Sequence, residues 1–582
     1  MKEFFRNNII LILIVFLAII LRFYNLSQIP VGFNDDEAAF GYNASSILQT
    51  ARDEWGRFLP FPVFESFGDW KLVGYLYSVV LSQLVFGVSE FATRLPSAIF
   101  GVLAVFSTYL LTKKLFEKSF LQFTIYNLRF TVAPLAALLL AISPWHIAAS
   151  RNAFESDILI FFLTISTYFF LRGLSEKKYQ TISILGFAAS FYIYRSAWIF
   201  TPFLVGVLIY LSKTQLSRYK IFFAKNIIFA LILLLPLVPS VLTFRGQSRF
   251  FQESFILGVQ KQGIIDEVNE RRGRCESILG IGCQLVYNKY NFFLIKYFNN
   301  YISNLSPETY YIKGTETGYQ SFPQRGFFYT FELSLFLAGL IFLLKRKQPA
   351  SYLLICWLLI VPLGPSFTAV GNPGRLNILM PIPQIIAALG LVWVFSYIRS
   401  ERFRRVLLLA LVIIALSSMT RLAFDTFFQI PQVSARYQRY GYKELFQYLE
   451  SQKSNYNQII VSRKNDDAKQ YIHYLFFNKT DPDFFRNNII RQRDKNGWVQ
   501  VEQIDKIHFY PTTPELELLP DNSLVAVGEH EIQLQVKPIY TINDPKGDRL
   551  FEIYNGDQLK NAKREYELEL MRLKLINRNP NE

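Results

Sequence analysis

The chain is poor in the residues from which most metal and nucleophile sites are built. Its 582 residues include 3 Cys, 4 His and 4 Met. No CxxC pair, HExxH helix or Walker glycine loop occurs, so zinc chemistry, nucleotide hydrolysis and a Ser-His-Asp site are unsupported. Cys275 and Cys283 stand eight residues apart, where a disulfide is chemically allowed, while Cys356 lies in an apolar run. Acid is the scarcer charge: 45 Asp and Glu against 61 Lys and Arg, a net charge of +16. The surplus base falls in short loops between apolar runs, which points to lipid head groups and requires no nucleic acid.

Apolar residues are abundant, at 51% of the chain with 56 Phe and 33 Tyr. They gather into runs at Ile9–Leu21, Ala92–Leu111, Phe130–Ile147, Asp157–Leu171, Thr181–Tyr194, Ala197–Leu211, Ile227–Phe244, Phe327–Leu344, Ser351–Phe367, Ile378–Ile398 and Val406–Met419. A crossing needs roughly 20 apolar residues, so these predict about 11 transmembrane helices, several of them short. Charge fixes the parity. With a cytoplasmic N terminus, every second short loop is basic: Lys113–Lys118, Lys177–Lys178, Lys213–Lys225, Lys345–Lys347 and Arg399–Arg405. A crossing at Leu72–Phe86 would invert them all, so that stretch is expected to lie along the outer interface. RFYNLSQIPVGF after the first run lacks a small-residue cleavage pattern, so the first run is expected to stay as an uncleaved span.

The expected organisation is a transmembrane domain over residues 1–420 and an extracytoplasmic soluble α/β domain over residues 421–582. Two large outer loops interrupt the first, at residues 22–91 and 245–326. In the tail, NQIIVSR, SLVAVG, IQLQV and LFEIY alternate like strands, whereas YKELFQYLESQ and AKQYIHYLFF read as helices. LKNAKREYELELMRLKL has the charge pattern of a solvated helix. The protein is thus expected to be integral to the plasma (inner) membrane.

Carboxylates are costly beside lipid, so the outer cluster in FNDDEAAFGYNASSIL marks a functional site. Asp35, Asp36 and Glu37 open a helical stretch, where an Asp is often only an N-cap and a Glu is favoured by the helix dipole. The functional reading is a carboxylate base that takes a proton from an acceptor hydroxyl. Cations fall at other outer span ends: Lys71 in SFGDWKLVGYLY, Arg151 in SPWHIAASRNAFESD, Arg245 and Arg249 in TFRGQSRF, and Arg375 in GNPGRLN. Guanidinium and ammonium groups suit a lipid-linked phosphate leaving group. Taken singly, each Arg also fits a snorkelling head-group contact.

Over DDEAAFGYNASSIL, DWKLVGYLYSVVLSQLVFGVSEFATRLPSAIFGVLAV and LLLAISPWHIAASRNAFESDILIFFLTISTYFFLRGL, the chain resembles the GT-C glycosyltransferases of the protein O-mannosyltransferase and aminoarabinose (lipid A) transferase type. The resemblance runs from about residue 10 to about residue 400 and is strongest over roughly the first 175 residues. LSPETYYIKG and QRGFFYTFE look like stretches of bacterial relatives. The resemblance implies a GT-C-like polytopic helical fold with interfacial helices in the first outer loop. It also implies inverting transfer of a sugar from a polyprenyl-phosphate donor to an extracytoplasmic acceptor: protein, lipid A, glycolipid or cell-wall glycan.

The family's catalytic Asp falls on Asp36, followed by Glu37, and its loop Lys on Lys71, where Leu72 and Val73 replace the usual prolines. Its second acid falls on Asp157, with His146 and Asp69 as supporting or acceptor-binding candidates. Arg151, Arg245, Arg249 and Arg375 are implied phosphate ligands. No metal is required, although Asp36, Glu37 and Asp157 are able to share a divalent cation.

Two rivals remain. An oligosaccharyltransferase carries a WWDYG-type motif, absent from this sequence. A flippase of lipid-linked sugars usually places polar groups at mid-membrane and has repeat halves, whereas the acids here gather at one face and no inverted repeat is visible.

Overall fold

A computed structural model describes residues 2–576 apart from 118–120, 126–127, 244–253, 257–259, 280, 316–321, 323–324, 369, 465–468 and 495–496. It divides into two compact units. Unit 1 comprises Met1–Pro30, Phe61–Phe64 and Trp70–Ile430, and unit 2 comprises Val31–Pro60, Glu65–Asp69 and Pro431–Glu582. The helix-bearing part of the first large loop is therefore grouped with the tail and not with the helices that flank it in sequence.

Each apolar run of unit 1 is mainly helical. The helices are Lys2–Phe23, Glu90–Leu115, Val132–Ile142 with Pro144–Ser150, Glu155–Gly173, Lys178–Ser190, Ser196–Leu211, Lys220–Leu234, Thr330–Lys345, Pro349–Ile360, Ile382–Tyr397 and Glu401–Phe424. Among the described residues, five helices are long and apolar enough to cross a membrane, and seven if each of two bent pairs is one span. One bend, of 60°, separates Val132–Ile142 from Pro144–Ser150. Pro144 has no N–H to continue the ladder and turns the preceding residue away from helical geometry. Val73–Phe86 is also helical, burying Val73, Tyr75, Leu76 and Val79 while Leu81, Leu84, Val85 and Phe86 stay exposed.

Glycine permits the closest helix contacts. A Cβ on Gly339 would lie 1.9 Å from the Ile386 carbonyl oxygen, and one on Gly390 2.0 Å from that of Leu335, so Thr330–Lys345 and Ile382–Tyr397 touch backbone to backbone. In the second large loop Cys275 and Cys283 form a disulfide with Cα atoms 5.8 Å apart. Helix Lys289–Ser303 beside it hydrogen-bonds to the helix end after Pro349–Ile360: Tyr297 Oη donates to the Leu363 carbonyl at 3.1 Å and Asn300 to that of Ser366 at 3.0 Å.

Unit 2 is built on a seven-stranded sheet. Its strands are β5 (Gln458–Ser462), β6 (Ile489–Arg493), β7 (Val499–Ile504), β8 (Ile507–Tyr510), β9 (Ser523–Gly528), β10 (Tyr540–Asn543) and β11 (Arg549–Asn555), in the order β10-β11-β9-β5-β8-β7-β6. Strand β5 is parallel to both β8 and β9, and the remaining pairs are antiparallel. Strands β1 (Val63–Ser66) and β2 (Asp69–Leu72) form a separate hairpin, as do β3 (Gln122–Ile125) and β4 (Leu128–Thr131).

The expected tail helices appear as Tyr442–Gln452, Gln470–Phe477 and Gly556–Ile576. The IQLQV stretch is corrected: Ile532–Val536 is not a strand. Its Ile532, Leu534 and Val536 instead cap an apolar cluster around Val525, Val527 and Leu559, so alternation here reflects one-sided burial without pairing.

Helix Asp35–Thr50 packs on Gln470–Phe477. Phe33 stacks on Phe476 at 4.7 Å, and Tyr42 meets Phe485 edge-on. Gly32, at φ +80°, leaves no space for a side chain, since a Cβ there would lie 2.2 Å from the Gln438 carbonyl oxygen.

Candidate functional site

In unit 2 the start of helix Asp35–Thr50 is capped by Asn34, whose side chain accepts from the Glu37 N–H at 3.0 Å while Glu37 Oε2 accepts from the Asn34 N–H at 3.1 Å. This reciprocal capping box satisfies two orphan helix donors. The cap role considered for the acids thus belongs to Asn34. Glu37, expected as a catalytic partner, is fully buried, and its carboxylate closes the box. Asp36 sits half-buried in the first turn.

Asp35 has the densest set of partners. Arg439 grips both its oxygens, Nε to Oδ1 at 3.1 Å and Nη2 to Oδ2 at 3.2 Å. His473 Nε2 lies 3.0 Å from Oδ1, and Lys469 Nζ 3.9 Å from Oδ2. Burial alone would raise this carboxyl, but the His473 hydrogen bond and the charges of Arg439, His473 and Lys469 outweigh it and hold the pKa below the ordinary 3.8.

At the far end of the helix, Asn43 and Tyr471 donate to Glu54 at 3.2 and 3.1 Å. Burial, with Asp53 nearby, pushes Glu54 up to about 8, against hydrogen bonds from Ser66, Tyr471 and Asn43. Arg486 donates to Ser46 and Thr50 hydroxyls and to the Asp53 carbonyl at 3.4, 3.3 and 3.0 Å. Asp69 is buried at the start of β2.

In unit 1 a cavity of about 130 Å³ brings together Lys71, Arg195, Arg375 and Glu155, with Trp70, Tyr194 and Thr368 among its walls. Lys71 is only 3% exposed. Arg375 donates to the Thr368 hydroxyl and Arg195 to the Trp70 carbonyl. Lys71 and Arg375, two of the expected phosphate ligands, thus line one cavity. Arg195 and Glu155 were not anticipated. Arg195 had a signal, as the lone cation in the two-residue break between the runs Thr181–Tyr194 and Ala197–Leu211.

The remaining candidates lie elsewhere. Arg151, expected as a phosphate ligand, donates its guanidinium to the carbonyls of Leu21, Tyr24 and Ile29 at 2.9, 2.7 and 3.0 Å and does not line the cavity. Arg94 likewise donates to the carbonyls of Leu26, Ser27 and Pro30. His146 and Asp157 are fully buried in a knot with Arg22 and do not line the cavity. Arg22 Nη2 lies 2.6 Å from His146 Nδ1. Since Arg only donates, the imidazole proton belongs on Nε2, which faces Asp157 Oδ1 at 3.6 Å. Arg245 and Arg249 lie outside the described residues. Among those described, no group of three or more His, Cys, Asp or Glu could hold a metal ion.

Residues 73–239 match the family described as dolichyl-phosphate-mannose-protein mannosyltransferase. A Bacillus subtilis protein carrying the name "Putative mannosyltransferase YkcB" is 27% identical over 177 residues, 29% of this chain and 21% of the relative. The chain thus covers about a fifth of that relative's length. ArnT from Cupriavidus metallidurans bound to undecaprenyl phosphate aligns at a TM-score of 0.51 and 11% identity, over 93% of this chain and 97% of that one. The Archaeoglobus fulgidus oligosaccharyltransferase in complex with zinc and sulfate aligns at 0.45 and 12%, over 80% and 61%. The fold is GT-C-like, and residues 73–239 match the sequence pattern of that mannosyltransferase family.

Proposed function

We propose that this integral membrane protein is a glycosyltransferase that moves a sugar, with inversion, from a polyprenyl-phosphate donor to an extracytoplasmic acceptor. Acceptors of the expected class are a protein, lipid A, a glycolipid or a cell-wall glycan. The observation that carries the reading is the unit 1 cavity, where Lys71, Arg195 and Arg375 converge in a chain with a GT-C-like fold. A polyprenyl phosphate, the class of molecule bound by the ArnT homologue, presents the anion those side chains suit.

In this reading Lys71 and Arg375, with Arg195, receive the donor phosphate, and Asp36 accepts the proton of the acceptor hydroxyl. The freed oxygen attacks the anomeric carbon, the bond from that carbon to the phosphate oxygen breaks, and the leaving polyprenyl phosphate takes the electron pair. Developing charge on the phosphate is met by the three cations, which strengthen their hold as the bond opens. Glu155 also lines the cavity, and its carboxylate limits the net positive charge there. The orientation proposed from the loop charges puts the N terminus in the cytoplasm and Pro431–Glu582 outside. The disulfide between Cys275 and Cys283 supports an oxidising side for the second large loop.

The test is turnover of radiolabelled polyprenyl-phosphate hexoses and pentoses by the protein in lipid, native against Asp36→Asn. Consumption by the native protein, abolished in a well-folded Asp36→Asn variant, is the expected result. Native-level turnover in the variant removes Asp36 as base, and no consumption across a broad donor panel removes the transferase reading.

A further inference from the structure

Resting on the reading of Asp36 as base, we propose that Arg439 and His473 are positioning residues for the transfer. By clamping Asp35 they fix the first turn of helix Asp35–Thr50, and with it Asp36. Residues of the tail Pro431–Glu582 then hold the turn that carries the base.

The helix is held inside unit 2 at both ends by residues some 400 positions later in the chain. At its start, Arg439 meets both Asp35 oxygens and His473 meets one of them. A two-pronged guanidinium contact fixes direction as well as distance. Tyr442 lies against the His473 ring at 4.9 Å and braces it. Just upstream, Phe33 stacks on Phe476, and Gly32 passes so close to Gln438 that the entry into the helix has no slack. Arg486 holds the last turn at Ser46 and Thr50, and the Glu54, Asn43 and Tyr471 set holds the middle of the helix.

Asp36 is the neighbour of the clamped residue, so the rigidity of that turn is the rigidity of the base. A helix of 16 residues is about 24 Å long, so a tilt of about 3° about its far end moves its first turn by about 1 Å. A displacement of about 1 Å at reacting groups is enough to cost about 100-fold in rate. Losing the clamp while the far end stays fixed produces this kind of tilt without unfolding the helix.

The experiment compares native protein in lipid with Arg439→Gln, Arg439→Lys, His473→Gln and, as a surface control in the same unit, Lys560→Gln. Two readouts are taken: steady-state turnover of a consumed polyprenyl-phosphate sugar, and amide hydrogen exchange over residues 36–40. Arg439→Gln is expected to lower kcat about 100-fold with the donor KM unchanged and to speed exchange at residues 36–40 with no change over residues 46–50. Arg439→Lys restores part of both, and Lys560→Gln changes neither.

Native kcat in Arg439→Gln and His473→Gln overturns the proposal. So does a loss in which kcat, KM and melting temperature fall together and Arg439→Lys rescues nothing, since that is a merely structural role. If Asp36→Asn itself keeps native turnover, the reading of the base has failed. The exchange data then still show whether the clamp holds the turn.

Discussion

Two charge clusters in this chain are built by opposite rules. In unit 2, Asp35 is met by Arg439, His473 and Lys469, a carboxylate matched by groups that carry protons or positive charge. In unit 1, Arg22, Arg94 and Arg151 are met mostly by neutral carbonyls: Ala18, Leu140 and Ala141 for the first, Leu26, Ser27 and Pro30 for the second, Leu21, Tyr24 and Ile29 for the third. Many of those carbonyls belong to the last turn of Lys2–Phe23 and the coil after it, where helix geometry leaves acceptors unpaired and the dipole is negative. An arginine beside lipid therefore need not signal an anionic ligand. The end of one apolar helix and the coil after it supply most of the acceptors that hold three arginines.

The strongest way to break this contrast is Arg22→Met. It removes the donor that three carbonyls and His146 share and leaves Asp157 buried beside a lone imidazole. We expect a loss of about 3–5 kcal/mol, read as a collapse of the detergent melting temperature, with no comparable loss from an exposed Arg in an inner loop.

The next largest effect sets Glu54 against Asp35 within one unit. Glu54 titrates near 8 in the folded protein against an ordinary 4.5. The folded state thus holds a proton the unfolded state has lost, and stability falls as pH rises between those values. The expected loss is about 2–5 kcal/mol, and Glu54→Gln removes it. Asp35 has the opposite sign. Its folded pKa lies below the ordinary 3.8, so its contribution is present above that value and disappears as pH falls through the lowered one. Melting curves from pH 3 to pH 9 on native protein, Glu54→Gln and Asp35→Asn separate the two.

A smaller effect sharpens the contrast inside unit 1. Lys71 and Arg375 line a cavity, whereas Arg151 clasps backbone. Lys71→Gln and Arg375→Gln are each expected to raise the donor KM about tenfold, or about 1.4 kcal/mol, with melting little changed. Arg151→Gln is expected to lower melting with little direct effect on KM. Smallest of all, breaking the surface pair of Lys560 and Asp521 with Lys560→Gln should leave the melting temperature within about 1 °C.

These distinctions mark the limits of the sequence. Helix positions were legible in the apolar runs of unit 1 because lipid demands runs of a set length, and Ala92–Leu111 and Ile378–Ile398 fall mainly on helices, whereas Lys289–Ser303 lies in no such run. Lys71 and Arg375 were legible as cations at span ends that share a face. The carbonyl contacts of Arg151 were not legible, because a span-end arginine looks the same in sequence whether it meets phosphate or carbonyl. The role of Asp35 was invisible, since Arg439 and His473 lie about 400 residues away with no periodicity to link them. For the same reason Val31–Pro60 was assigned by sequence to the domain around it, while its contacts group it with the tail.

The knot of Arg22, His146 and Asp157 also constrains how the chain is made. Arg22 leaves the ribosome with the first helix, but its acceptors on Leu140, Ala141 and His146 are synthesised more than a hundred residues later. Arg151, made later still, returns to fasten the turn at Leu21, Tyr24 and Ile29. Until then the guanidinium of Arg22 has to stay at the head groups or in water, because a buried unpaired charge is too costly beside lipid. Arg94 already fastens the coil after the first helix at Leu26, Ser27 and Pro30, whereas the knot around Arg22 closes only once the segment that reaches Asp157 has been made.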